Sequence, residues 1–180
     1  MNVGNTPWLP PDALPWLEEV VRGKQVLEFG SGGSTVWLAQ RAERVCSIEH
    51  HQGWYREVSA ELRRRDVSPD KAFVVHIAAD SEADSRYLGH QGSYSAYVKE
   101  GIKKAVEQLG VLEVVFVDGR ARVACVLDAQ ARVGVGGWIV LDDAQRKRYD
   151  PAKVALRERG WVLTHLAQEP KRATEFWRFG

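Results

Sequence analysis

The residues of this sequence whose spacing could do chemistry are carboxylates beside glycine turns. Glu28 stands two positions before the run Gly30-Ser31-Gly32-Gly33, and Thr35 follows at the start of an apolar-periodic segment. Glycine lets the backbone take positive φ and lets a ligand approach closely. A helix opening behind such a turn offers unpaired N–H groups. The dinucleotide fingerprint G-x-G-x-x-G is incomplete here, because Thr35 holds the place of its third glycine. A pyrophosphate on this turn would also have the Glu28 carboxylate as a neighbour, and like charges repel in a dry cleft. A cationic ligand has the opposite preference.

More acids fall where strands should end. Glu49 follows the glycine turn by about 20 residues, where an acid can accept both ribose hydroxyls of an adenosine group. Asp118 follows the apolar run Val114-Val115-Phe116-Val117, and Asp142-Asp143 follow Trp138-Ile139-Val140-Leu141. Carboxylates brought to one rim need a cation, a proton or a hydrogen-bond donor between them. An all-oxygen set suits a hard divalent ion such as Mg²⁺ with retained waters. The alternative is an ion network, with Asp118 free to bind an ammonium and Asp143 paired to Arg146 or Arg120.

The stretch Glu28-Phe-Gly-Ser-Gly-Gly33 resembles the acidic-x-Gly-x-Gly motif of class I S-adenosylmethionine-dependent methyltransferases. That cofactor carries a sulfonium and an α-ammonium, the charges an acidic strand end prefers. FVDGRAR and GGWIVLDDAQR are similar to the fourth- and fifth-strand motifs of catechol-type and macrolide sugar O-methyltransferases. The resemblance implies an enzyme that methylates a small-molecule hydroxyl. It places Glu28, Gly30, Ser31, Gly32, Thr35, Glu49 and Asp118 on S-adenosylmethionine, and Asp80 on the adenine amino group. It gives Asp118, Asp142 and Asp143 to a metal, which would hold the acceptor and lower its hydroxyl pKa. The catechol-type pattern has a lysine base three residues after the first aspartate; here Ala121 stands there, flanked by Arg120 and Arg122. Arginine stays protonated and is a poor base. Arg120 is therefore expected to orient an acidic acceptor or stabilise an oxyanion, and the base is sought in His90 first and His165 second.

These residues need elements to position them. An extended arm over 1–10 leads to a helix capped by Asp12 and running to Val21. Short apolar runs at Val26–Phe29, Arg44–Glu49, Ala72–Ala78, Val111–Val117 and Trp138–Leu141 read as buried parallel strands. Amphipathic segments alternate with them: 34–42, Gly53–Arg65 with Trp54, Val58 and Leu62 spaced by four, a helix from Ser93 or Tyr94, Arg122–Ala131 and Ala152–Arg159. Residues 81–93 read as a long loop over the ligand edge. Trp161–Leu166 and Ala173–Phe179 form an antiparallel hairpin. The expectation is an α/β fold, a Rossmann-like three-layer sandwich. Its seven-stranded, mostly parallel sheet would end in a C-terminal hairpin, in one domain over 1–180 with 1–22 as arm and helix and 24–180 as core. Trp8, Trp16, Tyr94 and Tyr97 are open to either core packing or the cleft; His76 is expected to be a core histidine.

With a net charge of +1, no global electrostatic case exists for nucleic acid or an anionic membrane. A small-molecule partner is expected, and a homodimer is open. Cys46 and Cys125 read as buried free thiols in a reducing, cytoplasmic setting, and neither a signal peptide nor a spanning segment is evident. A nicotinamide-dependent oxidoreductase shares the strand–turn–helix start and Glu49, but not the acid at Glu28. A hydrolase would use Ser31, Asp142 and His165, yet the turn lacks the leading glycine of G-x-S-x-G. A non-catalytic nucleotide-binding protein is the third alternative.

Overall fold

A computed structural model describes residues 3–80 and 94–180. The chain runs α1 (Ala13–Val21), β1 (Gln25–Phe29), α2 (Gly33–Ala39), β2 (Arg44–Glu49), α3 (Gln52–Arg64), β3 (Ala72–His76), α4 (Ser95–Leu109), β4 (Leu112–Val117), α5 (Arg122–Ala129), β5 (Val133–Asp142), α6 (Asp150–Glu158), β6 (Trp161–Glu169) and β7 (Arg172–Phe179). The strands form one seven-stranded sheet in the order β3-β2-β1-β4-β5-β7-β6. β1 to β5 pair in parallel, and β7 runs antiparallel to both β5 and β6. The α/β expectation and its terminal hairpin are met.

Side chains alternate across the central strands, so each strand feeds two cores. Leu27, Phe29, Val115, Val117, Ile139 and Leu141 face α4, α5 and α6. Val26, Val45, Val114, Phe116 and Val140 face α1, α2 and α3. With both faces covered, the strands read as unbroken apolar runs rather than alternating ones. Tyr94 and Tyr97 belong to the first core and are buried, and His76 Nε2 lies 3.2 Å from the His50 carbonyl. Both cysteines are free and buried. Among the described residues no helix is long and apolar enough to cross a membrane.

Three local expectations differ. Asp12 stands at the N-terminus of α1 but makes no side-chain capping bond. β5 begins at Val133, ahead of the expected start at Trp138; its pairing with β4 shifts register between Leu112 and Val114. Trp8 joins neither core: it is 83% exposed, with the Arg172 guanidinium 5.4 Å from its ring.

The strand order reverses between β1 and β4, and there the turns after the two strands approach closely. Gly30 has φ +95°, and a Cβ on it would lie 2.6 Å from Gly119 Cα. Gly23 also has positive φ, at +66°, but open space around it. Strain alone predicts a loss of about 1–2 kcal/mol for Gly23→Ala. Gly30→Ala must also push the β1 and β4 backbones apart, and it is expected to cost at least about 2 kcal/mol more in urea unfolding. Equal losses for the two would show that the approach of the β1 and β4 turns is loose.

Candidate functional site

A cavity of about 500 Å³ opens over the carboxyl ends of β1, β2, β4 and β5. This is where an open α/β sheet places its ligand, outside the strand ends at the switch in strand order. Of the expected site residues, Gly30, Ser31, Glu49, Asp118, Arg120 and Asp143 line it. His50 and His51, which follow Glu49 at the same strand end and are open in the sequence to flanking an adenine or standing as exposed turn histidines, also line it; so do Trp54, Arg122, Arg146 and Tyr149, which neither motif nor spacing assigns to a site.

The glycine turn is already tied within the chain. Gly30 N–H donates to the Ile48 carbonyl at 2.9 Å, Ser31 N–H to Glu49 Oε2 at 3.1 Å, and Gly32 N–H to Thr35 Oγ1 at 2.9 Å. Thr35 N–H donates to the Gly32 carbonyl. Trp54 Nε1–H donates to the Ser31 carbonyl. The arm crosses the same turn, since a Cβ on Gly33 would lie 2.8 Å from the Thr6 carbonyl oxygen. With these donors spent internally, the turn is a wall for a ligand rather than a phosphate cradle.

Glu28 does not reach the cavity. Its place on β1 puts its side chain between the sheet and α2, where Ser34 Oγ and Thr35 Oγ1 donate to its two oxygens at 2.5 and 2.6 Å. The side chain is fully buried, and burial outweighs those bonds and raises its pKa to about 7. Its expected contact with the cofactor is not what the geometry provides. Parity decides this: Glu28 shares a face with Val26, one residue out of step with Leu27 and Phe29.

Glu49 is the acid that faces the cavity. Burial opposes its charge, but His50, the His51 N–H and Ser31 outweigh burial and hold its pKa below the usual carboxylate range. Oε1 accepts from His51 N–H at 2.8 Å and lies 3.1 Å from His50 Nδ1, while Oε2 accepts from Ser31 Oγ at 3.0 Å. His51 also caps α3, its Nδ1 accepting Trp54 N–H at 3.1 Å. A strand-end acid, a helix cap and an indole are thus fixed as one unit.

At the other end, Arg122 organises the aspartates. Its Nη1 donates to the Asp142 carbonyl at 2.6 Å and lies 3.3 Å from Asp142 Oδ2. Its Nη2 donates to the Asp118 carbonyl at 2.7 Å and to Asp118 Oδ1 at 2.9 Å, and lies 3.4 Å from Asp143 Oδ2. Its Nε donates to the Gly119 carbonyl at 3.0 Å. Thr174 Oγ1 donates to Asp142 Oδ1 at 2.9 Å, and Arg146 pairs with Asp143 at 2.7 Å. Burial raises the Asp118 pKa well above its usual value; Arg122 opposes that rise and Asp142 adds to it. The three aspartates do not fit a divalent ion, because a guanidinium already lies among their oxygens. Among the described residues, no group of three or more His, Cys, Asp or Glu has the arrangement for one. The ion network, with Asp143 on Arg146, is the arrangement present.

Two further expectations resolve elsewhere, and a third lies outside the described residues. Asp80 Oδ2 accepts the N–H groups of Ser95 and Ala96 at 2.9 and 3.3 Å, so it caps α4 instead of lining the cavity. His165 stacks on Trp16 with ring centroids 4.3 Å apart, away from the strand ends, which removes it as a base and breaks the hydrolase set. His90 and the loop over 81–93 lie outside the described residues.

No family model matches the chain, and no curated protein matches it. Solved structures do. A methyltransferase-like protein from Silicibacter pomeroyi superposes with a TM-score of 0.68 at 22% identity, covering 99% of this chain and 91% of that one. An rRNA methylase from Streptococcus thermophilus gives 0.63 at 12% identity over 93% of this chain and 94% of that one. Fibrillarin from Aeropyrum pernix, with natively bound S-adenosyl-L-methionine, gives 0.57 at 14% identity over 88% of this chain and 67% of that one. The chain therefore has the Rossmann-like fold found in S-adenosylmethionine-dependent methyltransferases.

Two outcomes test this geometry. Glu28 has a folded pKa of about 7 against 4.5 as its reference. A raised pKa stabilises the fold fully below pH 4.5, and that stability is lost as pH rises through 7. Glu28→Gln is expected to flatten the fall in melting temperature across that window, a change worth roughly 3 kcal/mol; an unchanged pH profile would place the titration elsewhere. Arg122→Met leaves three carboxylates without their shared cation, and chemical denaturation is expected to show a loss of about 3–5 kcal/mol. Arg122→Lys, which keeps the charge but not the fork, should fall between.

Proposed function

We propose that this protein transfers a methyl group from S-adenosylmethionine to a hydroxyl of a small-molecule acceptor. The observation that carries the reading is the Glu49 carboxylate, held charged at the rim of the cavity beside His50, His51 and Trp54. An ionised acid at the end of the second strand suits the two ribose hydroxyls, and the neighbouring rings suit an adenine. The wall formed by Gly30 and Ser31 then runs beside the methionine portion, which leads toward Asp118.

Methyl transfer asks little covalent chemistry of the protein. The acceptor oxygen forms a bond to the methyl carbon as the carbon–sulfur bond breaks, and that bond's electron pair stays on sulfur as a neutral thioether. Alignment of oxygen, carbon and sulfur is the main contribution of the site. The acceptor proton goes to Asp118, whose burial makes it a stronger base than an exposed aspartate. Arg122 takes the place a metal would need among the three aspartates.

A small acceptor is supported by the near-zero net charge of +1, which offers no broad field for a polyanion. The Streptococcus thermophilus neighbour is an rRNA methylase, so RNA is the competing acceptor.

Calorimetry separates the reading from its rivals. S-adenosylhomocysteine is expected to bind and NADH not to bind. Glu49→Gln should weaken S-adenosylhomocysteine about 10- to 100-fold, the worth of one hydrogen bond to a charged group. Uptake of NADH without uptake of S-adenosylhomocysteine would end the methyl-transfer reading.

A further inference from the structure

The charges lining the cavity pair off, with one exception. Glu49 is held by Ser31, His50 and His51. Asp118 is held by Arg122, Asp143 by Arg122 and Arg146, and Arg122 by all three aspartates. Arg120 also lines the cavity, half-buried, and among the described residues its guanidinium has no carboxylate partner. A guanidinium drawn partly out of water gains most from an anion that completes its hydrogen bonds.

The backbone that carries Arg120 is fixed with unusual firmness. Its carbonyl accepts the Cys125 thiol at 3.4 Å. Gly119 before it packs on Gly30, and Ala121 after it is held buried at φ +50°, a conformation that costs a non-glycine residue about 1–2 kcal/mol. Arg122 clamps the Asp118 and Gly119 carbonyls from beneath. The turn is therefore rigid and strained around a side chain left without a partner. Such rigidity lowers the cost of presenting a recognition group.

We propose that Arg120 is the residue that selects the acceptor, pairing with a carboxylate on a small hydroxylated molecule whose hydroxyl then lies beside Asp118. The claim rests on the methyl-transfer reading for its purpose, but the binding it describes does not. One unpaired guanidinium balances one carboxylate charge. A phosphate dianion would ask for a second free cation, and Arg146 is committed to Asp143. Arg120 also follows β4 on the side of Arg146 and Tyr149, away from Glu49 on β2, which separates it from the adenosine end.

The test uses 4-hydroxybenzoate, its neutral amide and 4-hydroxyphenyl phosphate as probes, titrated into the whole chain with and without S-adenosylhomocysteine. The carboxylate is expected to bind at least about tenfold more tightly than the amide. That preference should vanish in Arg120→Gln and survive in Arg63→Gln on α3. S-adenosylhomocysteine affinity should be the same in Arg120→Gln as in the native chain. Equal binding of carboxylate and amide, or a preference that survives Arg120→Gln, overturns the proposal. So does an Arg120-dependent preference for the phosphate probe or for an rRNA fragment over the carboxylate. A tenfold loss of S-adenosylhomocysteine affinity in Arg120→Gln overturns it differently, by assigning the guanidinium to the cofactor's own carboxylate. If the native chain takes the carboxylate through Arg120 but never S-adenosylhomocysteine, the methyl-transfer reading fails and the anion site stands.

Discussion

One guanidinium holds the working end of this molecule together. β4 and β5 finish side by side, and each delivers an acid to the same rim; without a cation between them the two strand ends would repel. Arg122 reaches back from the first turn of α5 and places all three of its nitrogens on that rim, binding backbone carbonyls as well as carboxylates. Lysine offers a point charge and could not span these acceptors, whereas the planar fork can. The same contacts fix the turn that carries Arg120 and the strained Asp143, which has φ +56°. Electrostatic neutralisation and backbone shape are therefore one constraint here.

Two buried glutamates show how burial alone does not set a charge. Glu28 receives two hydroxyl bonds inside an apolar layer, and desolvation prevails. Glu49 is scarcely more exposed, yet it receives backbone N–H bonds from Ser31 and His51 and sits against His50, and its charge is kept. Fixed dipoles and an imidazole partner replace the lost water for one and not for the other. The consequences for stability run in opposite directions: the raised group favours the fold at low pH, while the lowered one favours it above its reference value. Of the two, only Glu49 lines the cavity.

How much of this the sequence carried differs between fold and site. Apolar runs ending in Gly30, Glu49, Asp118 and Asp142 mark parallel strands and their carboxyl ends directly, because buried strands have no polar face to disguise them. The face a strand residue takes is another matter. In a strand covered on both sides, Glu28 carries no pattern that distinguishes a place under α2 from one over the cavity. Long side chains are equally hard to place: Arg122 looks like a helix-surface residue until its reach to Asp142 is seen, 20 positions away. Trp54 follows the apolar spacing of α3, yet it turns its indole N–H to the glycine turn. Asp80 lies near a strand end, where a ligand contact is a fair expectation, but the open N–H groups of α4 claim it. Arg122 and Trp54 share one trait, that their contacts with Asp142 and Ser31 join residues about 20 positions apart.

The arrangement also bears on why the glycine turn persists without its phosphate role. The N–H groups of Gly30, Ser31 and Gly32 are consumed by Ile48, Glu49 and Thr35, and the glycines serve shape: Gly30 admits the β4 turn, and Gly33 admits the arm. A turn that spends its N–H groups internally has no positive potential to offer an anion at that end. Among the described residues, the lining guanidinium without a carboxylate partner lies across the cavity, on Arg120. In the proposed reaction the donor is a cation whose charge disappears as the carbon–sulfur bond breaks. A cavity with Glu49 held charged at one end and the Arg120 guanidinium at the other would set a positive donor and a negative acceptor in a defined order. That order follows from which hydrogen bonds the chain has already made.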